Sequence, residues 1–238
     1  MRYFCTIIAF VFAPLLTAQV LPKGWYLESS LHLGKAFKHR STITIDFPGL
    51  SYGTELNFEV QTFGKKHWHQ ICGYPRWGIA LSYLHSGNNA EMGACIAVLP
   101  NVTVDFFKSA KIRIFGRLGV GLGVVTKPYN RLYNPRNNMV GSYLNNSTTL
   151  RLGLAWRISK HLELRPSATF THFSNAASTL PNLGINIPSF QIGICYMYDP
   201  VESTDYLKKD KESLSKRDKR VQFSHLISMG YRSVKTSN

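Results

Sequence analysis

Two residues at a spacing of two, His172 and Ser174, are the side chains in this sequence that could together perform hydrolytic chemistry. In an extended chain, residues at this spacing project from one side and lie about 6.5 Å apart along the strand. An imidazole close to a hydroxyl can remove its proton, which is the minimum requirement for an activated serine nucleophile. The alternative is that a strand simply ends here and that the pair lies in the headgroup zone of a membrane, without a catalytic role.

Two other groups of potentially reactive residues carry weaker signals. His67 and His69 would share one side of an extended segment, but the sequence supplies no further ligands for a metal, so we predict a loop there. Cys72, Cys95 and Cys195 match no disulfide framework or zinc pattern. One disulfide with a leftover thiol remains open, but we interpret these cysteines as small buried or lipid-facing hydrophobes. Neither a metal nor a cofactor is expected.

The composition limits the class of protein. With 238 residues the chain is long enough for one generous domain and too short for two. A charged fraction of only 17% and an aromatic fraction of 13% argue against disorder. Beyond the N-terminus, no apolar run approaches the roughly 18 residues of a spanning helix. The net charge of +15 indicates an anionic partner, which could be nucleic acid, anionic lipid or a phosphorylated glycolipid.

The N-terminal segment narrows this choice. After a basic start, Phe4–Leu16 is almost wholly apolar and is followed by the small residue Ala18. This arrangement predicts a signal peptide over residues 1–18, because a buried helix with this sequence would lack a polar face. Cys5 lies within the apolar stretch, so a lipid-anchored N-terminus is not expected. An exported chain is not expected to bind nucleic acid.

Residues 19–198 alternate with period two, with aliphatic side chains on one face and polar side chains on the other. The polar face carries arginines together with Glu28, Glu55, Glu59 and Glu163. This pattern is typical of strands with one apolar and one polar face. The eight predicted strands cover residues 25–34, 54–63, 77–85, 92–99, 111–125, 146–158, 161–174 and 189–198, of which 92–99 is the weakest.

The length of the strands and the placement of aromatic residues favour a membrane barrel. A soluble sandwich would use shorter strands and bury its apolar faces. Aromatic residues near strand ends are typical of interfacial girdles, and a sheet in lipid must close so that its backbone is paired. We therefore predict an all-β, eight-stranded antiparallel transmembrane barrel in the outer membrane. A soluble lipocalin-like barrel, with its aliphatic residues inside, is the alternative, and a pore is a weaker option because eight strands leave a filled lumen.

The connections predict the orientation of the barrel. A two-residue turn at 159–160 fits the periplasmic side, and the long connections 35–53 and 126–142 fit the outer surface. His172 and Ser174 then lie on the aliphatic face at the outer-leaflet end of the seventh strand. Polar groups that face hydrocarbon are costly unless they are satisfied or functional.

Residues 199–238 break the alternation and are predicted to form a C-terminal extension. Lys208–Arg220 holds seven basic and three acidic residues, which is typical of a solvated linker. Residues 221–232 could form an extra strand, although an odd strand would be unusual in such a barrel.

The segments Thr171–Ala177 (THFSNAA) and Pro181–Asn186 (PNLGIN) resemble the outer-membrane lipid A 3-O-deacylase family, the PagL-type acyloxyacyl hydrolases. A looser resemblance extends over residues 24–198. It implies an outer-membrane esterase, with its active site on the outer wall of the barrel, that removes an ester-linked acyl chain from the glucosamine of lipid A. The implied partner is lipid A or lipopolysaccharide, whose phosphates lysines and arginines near the outer rim could bind.

The resemblance also implies roles for individual residues. Ser174 would be the nucleophile and His172 the general base, with Asn175 and Asn182 as candidates for stabilising the oxyanion. The third member of the family's triad is a glutamate, and the matching position here is Asn186. An amide can hold the tautomer of the histidine but cannot supply a negative charge to an imidazolium. The alternative function is therefore a non-catalytic barrel, structural or lipopolysaccharide-binding, that is an inactive relative of these enzymes.

Overall fold

The computed structural model describes residues 23–207. The predicted signal peptide, residues 1–18, lies outside the described residues. So do residues 208–238 of the extension, which include the possible extra strand at 221–232.

Eight antiparallel strands form a closed barrel in which each strand pairs with the next along the chain and the last pairs with the first. The predicted eight-stranded fold is thus confirmed. The strands are β1 (Trp25–Gly34), β2 (Ser51–Gln61), β3 (Arg76–His85), β4 (Ala94–Lys108), β5 (Ile112–Val125), β6 (Leu144–Arg157), β7 (Leu162–Ser174) and β8 (Ile185–Met197).

Two strands, β4 and β8, are longer than their sequence pattern predicts by three residues or more. β4 continues to Lys108, beyond the predicted end at residue 99, because Pro100 and a bulge between Asp105 and Phe107 interrupt its alternation without ending its pairing. β8 begins at Ile185, four residues before the predicted start. The earlier start brings Asn186 into the sheet, and this affects the geometry of the candidate site.

The interior of the barrel is polar and tightly ion-paired. Arg165 lies at its centre and contacts Glu28 at 2.9 Å, Glu59 at 3.2 Å and Glu163 at 3.0 Å. Further buried ion pairs in the lumen include Arg76–Glu59, Arg76–Asp105, Arg113–Glu163, Arg117–Glu55 and Arg151–Glu28. Aliphatic side chains cover the outside, so the lipocalin-like alternative, with its opposite polarity, is wrong.

The connections divide into two sets at the two ends of the barrel. Following the predicted orientation, we call the end with connections 62–75, 109–111 and 158–161 the inner end, and the end with connections 35–50, 86–93, 126–143 and 175–184 the outer end. In the first inner connection, His67–Ile71 forms a short helix, α1, rather than the predicted loop. Within residues 23–207, no helix is long and apolar enough to span a membrane, and no cluster of three or more His, Cys, Asp or Glu side chains could hold a metal ion.

The described part of the extension folds over the inner end of the barrel. The ring of Tyr206 lies 4.7 Å from that of Tyr74, and Leu207 N donates a hydrogen bond to Phe63 O at 3.0 Å. Lys23 and Asp205 form an ion pair at 2.8 Å. The extension therefore starts as an ordered cover on this end.

The cysteines follow the expectation in part. Cys72, Cys95 and Cys195 are free thiols. Cys95 and Cys195 are buried as predicted, whereas Cys72 is exposed because it lies in the inner connection directly after α1.

Candidate active site on the outer wall

The register of three neighbouring strands brings the predicted site residues together on the outside of the barrel. On β7, burial alternates so that Thr171 and Phe173 are buried, while His172 and Ser174 are half-buried on the outward face. His172 pairs directly with Asn186 on β8. The outward orientation predicted from the sequence pattern therefore agrees with the structure.

A short hydrogen bond joins His172 to Asn186. The distance between His172 Nδ1 and Asn186 Oδ1 is 2.6 Å. Because an amide oxygen can only accept, this contact requires the proton of the neutral imidazole on Nδ1 and leaves Nε2 as an acceptor. That tautomer is the one in which Nε2 could take a proton from a serine hydroxyl.

Gly184 lies against the Cε1 edge of the imidazole and leaves room for the ring. Its φ of +78° lies in the left-handed region, and a Cβ on this residue would lie 2.7 Å from His172 Cε1. A larger residue would therefore displace the ring as well as strain the backbone. The amide N of Gly184 donates to Met139 O at 2.9 Å, which connects this position to connection 126–143.

The hydroxyl of Ser174 is held by the loop that follows it. Asn182 Nδ2 donates to Ser174 Oγ at 3.0 Å, and the backbone amide of Ala176 lies 3.3 Å from the same oxygen. Among the described residues, no hydrogen bond joins Ser174 to His172. Ser174 Oγ instead donates to Asn182 Oδ1 at 3.3 Å. A hydrogen bond to the imidazole would have to replace this contact, and such bonds often close only when substrate is bound.

The loop 175–184 has an unusual backbone. Ala176 and Ala177 have φ values of 54° and 60°, which non-glycine residues adopt at some energetic cost. Asn175 Nδ2 donates to Ser142 Oγ and to Thr179 O, each at 2.9 Å. Of the two predicted oxyanion donors, Asn182 therefore contacts Ser174 through its side chain, whereas the side chain of Asn175 secures the loop.

Several residues of this region were not predicted from the sequence. Asn146 pairs with Ser174 and Thr148 pairs with His172, both from β6, and His39 Nε2 lies 2.9 Å from Leu183 O. Asn146 and Thr148 occupy even-numbered positions of an otherwise aliphatic face. The signal that identified His172 and Ser174 could thus have found them too. The contact of His39 joins two loops, and loops carry no periodic sequence pattern from which it could have been predicted.

A groove at the outer rim adjoins Asn186. It has a volume of about 490 Å³, and its lining includes Lys35, Phe37, Lys38 and Pro188. The amide N of Phe37 donates to Asn186 O at 3.4 Å. Lys38 forms an ion pair with Asp46, and the hydrogen bond from its ammonium group lowers the pKa of that carboxyl. The site thus lies between an aliphatic belt and a basic rim.

Comparison with known proteins yields a family and a set of structural neighbours. The model of a family described as lipid A 3-O-deacylase (PagL) matches residues 52–194. The crystal structure of the outer membrane enzyme PagL is 18% identical with a TM-score of 0.52, and the match covers 73% of this chain and 99% of that one. The PagL structure and this chain share the barrel fold.

Two further solved structures are more distant. Neisserial surface protein A is 9% identical, with a TM-score of 0.48, and the match covers 74% of this chain and 97% of that one. Ail of Yersinia pestis is 12% identical, with a TM-score of 0.39 and coverages of 74% and 99%. No curated protein sequence matches this chain.

Proposed function

Because this chain belongs to the PagL family of lipid A 3-O-deacylases, we propose that it is an outer-membrane esterase that removes an ester-linked acyl chain from lipid A. The observation that carries this proposal is the 2.6 Å contact of His172 with Asn186. His172 lies two residues before Ser174 on the same outward face of β7. A catalytic group that faces the lipid can meet a substrate that never leaves the membrane. Such a substrate explains why polar side chains face the lipid, where burying them in hydrocarbon costs free energy.

In the proposed reaction, Ser174 Oγ attacks the carbonyl carbon of the ester while His172 Nε2 takes the hydroxyl proton. The tetrahedral intermediate collapses when the ester C–O bond breaks, and His172 gives its proton to the departing sugar oxygen. An acyl–Ser174 ester remains. Water, deprotonated by His172, then attacks this ester and releases the fatty acid, which regenerates the serine hydroxyl.

Asn182 and Asn186 are assigned the supporting roles. Asn182 Nδ2 and the amide of Ala176 contact Ser174 Oγ. They would therefore lie near the carbonyl oxygen when Oγ attacks, and they would donate hydrogen bonds to the charge that develops there. Asn186 Oδ1 orients the imidazole through Nδ1. Since an amide carries no charge, it stabilises the imidazolium less than a carboxylate would.

Basic residues of the outer connections suit a phosphorylated glycolipid. Lys35, Lys38 and Arg40 follow the end of β1, on the rim above Asn186. A lipid A molecule with its chains along the aliphatic wall would place its phosphates at this level. Charge-assisted hydrogen bonds from these side chains would then hold the sugar over the site.

The test is the mass of lipid A from Gram-negative cells that express the protein. The wild type should remove one acyl chain, and Ser174→Ala should leave the lipid A intact although the barrel still inserts, as shown by heat-dependent mobility in SDS. Unchanged lipid A with correctly inserted wild type would contradict the proposal. That result would support the second candidate, a lipopolysaccharide-binding barrel without activity, which the uncharged Asn186 favours.

A further inference from the structure

Two outward-facing polar residues of β6 lie directly beside the site and have no part in the proposed catalytic steps. Asn146 pairs with Ser174, and Thr148 pairs with His172. Their strand neighbours on the same face, Leu144 and Leu150, are 58% and 60% exposed, as expected for an aliphatic wall. Thr148 thus adjoins His172 on the side opposite Asn186, so the polar surface extends across three strands.

These two side chains form a small, oriented hydrogen-bonding unit. Thr148 Oγ1 donates to Asn146 Oδ1 at 2.9 Å, and Asn146 Nδ2 donates to Gly121 O at 3.2 Å. Thr148 has therefore used its only donor, while its oxygen lone pairs, one on Asn146 Oδ1 and the second N–H of Asn146 Nδ2 stay available, so the pair can both accept and donate, as a hydroxyl group also does. The unit is consequently suited to receive a hydrogen bond from a hydroxyl group.

The depth of this unit indicates which part of a substrate it meets. β7 runs from the inner to the outer end, so His172 and Thr148 lie about 6.5 Å along the strand below Ser174. The headgroup of a membrane lipid lies outward of its ester bonds and the acyl chain extends inward. A chain esterified near Ser174 would therefore pass Thr148 with its first carbons.

We infer that Asn146 and Thr148 form a specificity subsite for a hydroxyl group on the acyl chain, close to the ester carbonyl. This inference rests on the proposed function. A plain hydrocarbon chain would cover these acceptors without satisfying them. A hydroxylated chain would satisfy them and gain a hydrogen bond. Sites built to bind a substrate hydroxyl discriminate against analogues that lack it for this reason.

The test compares two esters of N-acetylglucosamine in detergent micelles, one with a β-hydroxydodecanoyl chain and one with a dodecanoyl chain. The wild type should have a kcat/KM about tenfold higher for the hydroxylated ester, as expected for one hydrogen bond. Thr148→Val keeps the shape and suits a lipid-facing strand, and it should reduce this ratio to near unity. Asn146→Leu should reduce the ratio in the same direction.

The matched control is Thr54→Val. Thr54 is an exposed threonine on the outward face of β2, where it pairs with Leu31 and Tyr83 far from the site, and its replacement should keep the wild-type ratio. A wild type that cleaves both esters equally, or a Thr148→Val variant that keeps the preference, overturns the subsite alone. A wild type that cleaves neither ester and also leaves lipid A intact in the same micelles overturns the proposed function and the subsite with it.

Discussion

At the scale of single residues, the side-chain amide of Asn186, which replaces the glutamate of the family's triad, limits how efficient the site can be. Its 2.6 Å contact with His172 supplies orientation without charge. Asn186→Asp keeps the size and adds a carboxylate that stabilises the imidazolium, so we expect kcat to rise about tenfold. Asn186→Leu removes the orienting contact, and kcat should fall about 10²-fold, within the range that general base catalysis contributes.

Both variants can be measured as purified barrels on one detergent-dispersed ester, with folding checked by heat-dependent mobility. If Asn186→Leu retained the wild-type kcat, the imidazole would not depend on this contact. The identity of the residue could be predicted from the motif, but its hydrogen bond could not, because the sequence pattern placed the start of β8 beyond it.

At the scale of elements, the site depends on two outer connections that hold each other. Asn175 in loop 175–184 donates to Ser142 in connection 126–143 at 2.9 Å, and Gly184 N donates to Met139 O across the same boundary. Asn175→Ala should release the loop that carries Asn182. We expect kcat to fall about tenfold, since a small displacement of a positioned group is sufficient for such a loss, while the thermal stability of the barrel changes little.

The control is Asn88→Ala, which removes a contact with Asp46 O between connections 86–93 and 35–50, a pair that includes neither loop of the site, and it should leave kcat at the wild-type value. Equal losses in the two variants would show that general loosening of the outer end, rather than the Ser142 contact, affects the rate. Steady-state kinetics and thermal melting of both proteins separate these results.

Strands and faces could be predicted because lipid imposes a strict alternation, whereas loop geometry could not. The alternation of β7 placed His172 and Ser174 outward, and it did so from the side-chain types alone. The left-handed backbone of Ala176 and Ala177 has no signal in those residue types. Contacts between distant loops, such as that of His39 with Leu183 O, arise only when the barrel closes.

At the scale of the whole molecule, the ion-paired lumen makes the barrel a rigid support for a site on its wall. Arg165 is almost fully buried and contacts three glutamates. Arg165→Met leaves these carboxylates without a shared partner, so we expect a loss of about 3–5 kcal/mol in the free energy of unfolding. Lys38→Met removes an exposed ion pair with Asp46 and should change stability little.

Urea unfolding in phospholipid vesicles, followed by tryptophan fluorescence, measures both variants. A similar, small effect of the two substitutions would mean that the lumen network does not support the barrel. Since Arg165 faces inward, any Arg165→Met protein that still folds should retain a measurable rate of ester cleavage.

Covalent labelling of the wild type in membranes with a long-chain alkyl fluorophosphonate tests directly whether Ser174 is an activated nucleophile that faces the lipid. A serine activated by His172 and open to the lipid should displace fluoride and form a phosphonate ester. Peptide mass spectrometry should find the adduct on Ser174, and His172→Ala should lose it. Labelling of another serine in its place, or an unlabelled Ser174 in protein that still cleaves lipid A, would show that Ser174 is not the lipid-facing nucleophile.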